Sequence, residues 1–152
     1  MQAAMKLITL LCAVGNLAFL GACTTTNDHM NNTDSLSGKW SCLSATADGK
    51  PLPTDITDLL RLTLTQNRYK TEKGSEILFD STYTIDPSKN PGEINMIGTE
   101  GDLAGKEAPG IYSLAGDILR ICYVMPGLRR PERFESPTGS QIFLVTWRRQ
   151  AP

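Results

Sequence analysis

Eight short runs of β-forming residues, spaced at roughly 8 to 12 positions and cut by turn chemistry, constrain this chain more than any other feature. They fall at 38–46, 60–66, 67–72, 77–86, 93–98, 109–114, 117–125 and 141–149. Between them stand "ADGK" at 47–50, "KG" at 73–74, "DPSKNPG" at 86–92, "TEGDLAGK" at 99–106, "AGD" at 115–117 and "MPGLRRPERFESPTGS" at 125–140. Gly, Pro, Asp and Ser dominate these breaks because they supply positive φ, a fixed φ, or a side-chain bond to the local backbone. Only "PTDITDLL", 53–60, reads as helical, with Thr54 as its cap and Asp55 in the first turn; it is one turn or two.

Side-chain alternation says which faces are buried. Leu62 and Leu64 oppose Arg61, Thr63 and Thr65, and Leu119, Ile121 and Tyr123 oppose Arg120 and Cys122, so these strands have one wet face. The last strand is apolar on both faces from Ile142 to Val145, which places it centrally or under a covering segment, since an exposed edge of that kind aggregates. Residues 37–152 make one domain's worth of chain. The expected fold is all-β: a small eight-stranded antiparallel barrel with at most one short helix after the first strand. Closure sets the first and last strands side by side.

Gly38, Lys39 and Trp40 on the first strand resemble the G-x-W start of the lipocalin class, and Arg148 or Arg149 on the last strand is positioned to pack on the tryptophan. Such a cation–π contact is worth ~0.5 to 2 kcal/mol. Gly38, Trp40 and Trp147 are accordingly expected as barrel-closing core rather than as a ligand platform. A wider match covers nearly the whole domain: "SGKWSCLSATADGKPLP" at 37–53, "TYTIDPSKNPGEINM" at 82–96 and residues 99–140 resemble a small lipocalin-like domain family of uncharacterised function abundant in planctomycetes. The resemblance implies a fold and no activity. Asn95 stands where many relatives carry Asp, and Cys42 falls outside the shared pattern, so neither position inherits a role.

The first 22 residues hold one charge, Lys6, followed by an apolar stretch, which is the layout of a secretory signal. The run is too short and too interrupted, by Gly15 and Asn16, to favour an uncleaved transmembrane anchor. A cut after Ala22 by ordinary signal peptidase would meet bulky Leu20 at the third position. Leu20, Gly21, Ala22 and Cys23 instead resemble the lipobox of bacterial lipoproteins. That resemblance implies cleavage before Cys23, acylation of its sulfur, and a bacterial cell-envelope location, on the outer membrane facing the periplasm in a Gram-negative host because Thr24 follows where inner-membrane lipoproteins carry Asp. Two or more acyl chains anchor stably without a second signal. The competing reading is a free secreted domain. The division is thus 1–22 signal, 23–36 acylated cysteine and polar tether reaching roughly 20 Å, and 37–152 barrel.

Loss of Lys6 takes the formal charge of −1 to −2, which argues against nucleic acid as a partner. His29, the only histidine, sits in the tether, so the domain lacks the base of a serine hydrolase and the imidazoles of a zinc site; no metal or cofactor is expected. "GDLAGK", 101–106, is one residue short of a phosphate loop and lacks Ser or Thr after Lys106. Asp80, Asp86, Glu100, Asp102 and Asp117 could serve as acid or base, but most lie in turns where Asp is common. Catalysis is not expected. Once Cys12 leaves with the signal and Cys23 is acylated, Cys42 and Cys122 remain, and export favours a disulfide between them, the competing reading being free core thiols. Bridging needs α-carbons within ~7 Å.

Two functions are therefore expected of the membrane-tethered domain. In the first, Trp40, Tyr83, Met96, Tyr112 and Tyr123 fill the interior, and rim loops, chiefly 125–140 with Arg129, Arg130 and Arg133, capture an envelope protein such as a lysozyme or protease to be inhibited. In the second, the barrel carries a small apolar or amphipathic ligand. Interior volume separates them.

Overall fold

A computed structural model describes residues 35–151. The Leu20–Ala22 motif, Cys23, His29 and most of the tether lie outside the described residues. Nine strands form one sheet: β1 (Gly38–Ala47), β2 (Lys50–Pro51), β3 (Leu60–Leu64), β4 (Arg68–Lys73), β5 (Glu76–Asp86), β6 (Gly92–Gly98), β7 (Glu107–Ala115), β8 (Ile118–Val124) and β9 (Ile142–Arg149). The sheet order is β2-β1-β3-β4-β5-β6-β7-β8-β9, and β9 also pairs with β1, so eight strands close an antiparallel barrel and β2 is a two-residue appendage on β1. One helix, α1 (Thr54–Thr57), follows β2; Pro53 precedes its first turn, and Thr54 is inside the helix rather than its cap.

Alternation does what the sequence implies. Leu62 and Leu64 of β3, Ile94 and Met96 of β6, Leu119 and Ile121 of β8, and Val145 and Trp147 of β9 all point inward and are buried. Each such Leu or Ile contributes ~1.5 to 3 kcal/mol relative to exposure. "GDLAGK" lies in the β6–β7 hairpin, with a 3-10 turn at Gly101–Leu103.

One end of the barrel is shut. Trp40 is fully buried there, and its indole Nε1 donates to the Leu36 carbonyl at 3.1 Å. The Arg149 guanidinium lies over the Trp40 ring, 4.1 Å from the centroid, and donates to the carbonyls of Ser37 at 2.6 Å and Ser35 at 2.7 Å. Arg149, not Arg148, makes this contact because it shares its face of β9 with inward-pointing Trp147. Gly38 is required beneath it: its φ is +140°, and a Cβ would come within 3.0 Å of the Arg149 guanidinium. Gly38 and Trp40 thus lie together at the closed end, while Trp147 packs farther along the interior, opposite Cys42 on β1 and Leu119 on β8.

The segment 125–141 is not a free rim loop. It runs back as a strap over the outer wall of β6, β7 and β8. Ile111, Cys122 and Val124, which face outward by alternation, are buried beside the strap's buried Pro131. The Ser136 hydroxyl donates to the Ile142 carbonyl at 2.7 Å, and Arg120 stacks on Phe134 at 4.6 Å while donating to its carbonyl at 3.5 Å. The outer face of β8 is therefore buried at Cys122 and Val124 and half-buried at Ile118 and Arg120, where it was expected to be wet.

That strap also settles the cysteines. Cys42 and Cys122 are both free and buried, correcting the expected disulfide. Cys42 belongs to the interior core, whereas the Cys122 thiol lies outside the wall, 3.4 Å from the Arg133 carbonyl and 3.6 Å from that of Glu135. The sheet, with β9 between their strands, separates the two sulfurs.

Candidate functional site

The end opposite Trp40 is open, and there the interior is not filled. A half-enclosed cavity of about 410 Å³ is lined by Ala45 and Ala47 of β1, Ile56 of α1, Leu60, Tyr69, Phe79, Ala108, Tyr123, Phe143 and Trp147. This corrects the expectation of a solid interior. Aromatic rings pack along the wall instead of across the lumen. Tyr69 meets Phe79 edge-on at 6.0 Å and Tyr83 edge-on at 6.4 Å, while Tyr123 stacks on Phe143 at 5.2 Å and 15°. Small residues at Ala45, Ala47 and Ala108 leave space opposite them. Leu52, Leu78, Leu103 and Met125 complete the mouth; Leu78 and Met125 are exposed.

The cavity's chemistry is one-sided. Its lining includes no carboxylate; Lys73, at the end of β4, is its one charged residue and pairs with Glu76 at 3.6 Å. The phenol of Tyr123 is pushed up to about 12 by burial, and burial likewise raises that of Tyr69, which bonds the Thr71 side chain. Both stay neutral donors across the physiological range. A volume of 410 Å³ lies within the ~300 to 1,000 Å³ range of small-molecule sites.

Arg129, Arg130 and Arg133 do border one hollow, on the outer surface of the strap, together with Pro131, Glu132, Glu135, Pro137 and Ile142. Two of these three charges, those of Arg129 and Arg130, are already engaged there. Arg130 is a strut: it donates to the carbonyls of Ile94 at 3.0 Å and Gly110 at 2.5 Å and to Asn95 Oδ1 at 2.6 Å, with Glu93 at 3.6 Å. Arg129 pairs with Glu132 at 2.5 Å at the surface, and Arg133 is exposed. Asn95, which the sequence left without a role, receives the strut. Among the described residues no group of three or more His, Cys, Asp or Glu side chains could hold a metal ion, and no helix is long and apolar enough to cross a membrane.

Buried thiols and phenols give the barrel a defined alkaline limit. Burial pushes the Cys42 and Cys122 thiols from 9.0 up to about 11, and Tyr123 from 10.0 up to about 12. An acid whose folded value is raised favours the unfolded state once the unfolded group ionises. Stability is expected to be flat with respect to these groups below pH 9 and to fall from there to about pH 12. Denaturant midpoints measured across that window check this; midpoints unchanged to pH 11 contradict it.

Comparison of the chain with family models, with curated proteins and with solved structures finds no match. The fold and site define a small closed antiparallel β-barrel, an architecture consistent with a binding role.

Proposed function

We propose that this protein is a non-catalytic carrier that holds a small apolar or amphipathic molecule in the open mouth of its barrel, on a lipoprotein of the bacterial envelope acylated at Cys23. The observation that carries the binding reading is the half-enclosed apolar cavity of about 410 Å³, roofed by no strand and charged only at Lys73. The lipocalin-like resemblance agrees with an Arg149–Trp40 closure at one end and a ligand space at the other. The competing reading places capture of an envelope protein on exposed Arg129 and Arg133 of the strap hollow.

Ala47→Trp separates the two. It fills the mouth from a half-buried position on β1 and leaves the strap hollow on the outer wall intact. Binding of 1-anilinonaphthalene-8-sulfonate, read by its fluorescence, is expected to fall at least tenfold with the thermal midpoint nearly unchanged. Equal dye binding by the variant would remove the cavity from the reading. The anchor is checked independently: a palmitate analogue fed to expressing bacteria should label the wild type and not Cys23→Ser, and equal labelling of both ends the lipoprotein reading.

A further inference from the structure

Trp147 is 1% exposed, and its indole Nε1 is the buried side-chain nitrogen or oxygen that has no hydrogen-bond acceptor among the described residues. The same residue lines the mouth cavity. A buried donor without an acceptor is costly and rare in folded proteins. The other indole in the domain, Trp40, obeys the rule through the Leu36 carbonyl. On the carrier reading above, on which this inference rests, we propose that the ligand supplies the acceptor. The cavity then takes an elongated apolar molecule bearing one neutral carbonyl-type oxygen, which enters oxygen-first and accepts from Trp147 Nε1.

The lining selects that chemistry by what surrounds the donor. Apart from Lys73, the cavity lining is apolar or carries neutral hydroxyls, of which Thr71 and Tyr69 already bond each other. A carboxylate carried to this depth would exchange full hydration for neutral donors, a poor trade for a charge. A carbonyl oxygen needs a single donor and finds it in Trp147 Nε1. The single cation, Lys73, belongs to the mouth, so an anionic group on the same molecule would sit there, at the far end. A ligand with its only oxygen at the tail leaves the indole unpaired and is discriminated against.

The test uses two probes of equal shape, 2-octanone and 2-methyl-1-octene, in which a terminal methylene replaces the carbonyl oxygen. Each is titrated against the dye-loaded protein. Trp147→Phe keeps an aromatic ring and removes the donor. It is expected to weaken 2-octanone about fivefold, which is about 1 kcal/mol, and the alkene less than twofold. Equal loss for both probes overturns the hydrogen bond while leaving the carrier reading in place. Failure of both probes to displace the dye from the wild type overturns both readings, and failure of 2-octanone alone overturns the hydrogen bond. A measurement on the unmutated protein guards against misfolding of the variant: in a ¹H–¹⁵N spectrum, 2-octanone should move the Trp147 indole peak downfield and leave the Trp40 peak where it is. An indole peak equally displaced by ketone and alkene also overturns the proposal.

Discussion

Replacing Trp40 with alanine is expected to cost about 3 to 5 kcal/mol, the range for deleting a large buried aromatic, and to lower the thermal midpoint by roughly 10 to 20 °C for a domain of this size. Three losses coincide at this residue. The ring is fully buried, its nitrogen ties down Leu36, and its face carries the Arg149 guanidinium. Without the ring, Arg149 still reaches the carbonyls of Ser35 and Ser37 but spans a void. The effect should be graded along the barrel: amide exchange accelerates first at 36–40 and last at the mouth. Calorimetry reads the midpoint, and a drop under 5 °C would show that the closed end contributes little.

The second large effect is expected at Arg130. Alanine there removes the guanidinium that joins the strap to two carbonyls and an amide oxygen on β6 and β7, leaving those acceptors half-buried and Glu93 without its cation. A loss of about 2 to 3 kcal/mol follows from hydrogen bonds to a charged group. The more telling readout is chemical. With the strap loosened, Cys122 loses its cover and should be alkylated by iodoacetamide under native conditions, whereas Cys42, inside the barrel, stays protected. Peptide mapping distinguishes the two sulfurs. Protection of both in Arg130→Ala would mean that Pro131 and Phe134 alone hold the strap down. Arg130→Lys should fall between, since an ammonium cannot span the same three acceptors.

These residues also show what a one-dimensional reading reaches. Strand positions and inward faces were legible because a period of two is a local property: Leu62 with Leu64, or Leu119 with Ile121, declares a face without reference to any other strand. The Arg149–Trp40 contact was half legible; the parity of β9, with Trp147 inward, selects Arg149 over Arg148, and that step was available from the sequence. The fate of Cys122 was not. Alternation assigns it to the outer face but is silent on whether a later segment folds back to cover that face. The expected disulfide failed for the same reason, since eliminating the other cysteines says nothing about which side of a sheet each remaining sulfur occupies. The cavity escaped because an inventory of large side chains fixes volume, not placement. Tyr69, Phe79, Tyr123 and Phe143 spend their bulk on one another along the wall. The alanines at 45, 47 and 108 were the available signal, three small inward residues on facing strands near one end.

The chain enters the barrel at its shut end: Ser35 and Ser37 are held by Arg149, and β1 then climbs ten residues from Gly38 to the mouth at Ala47. At ~3.3 Å per residue on tilted strands, that ascent is roughly 25 Å. A tether upstream of Ser35 would therefore join the barrel at its shut end, away from the mouth. On the carrier reading proposed above, a ligand would enter the barrel at the end remote from Ser35 and Ser37.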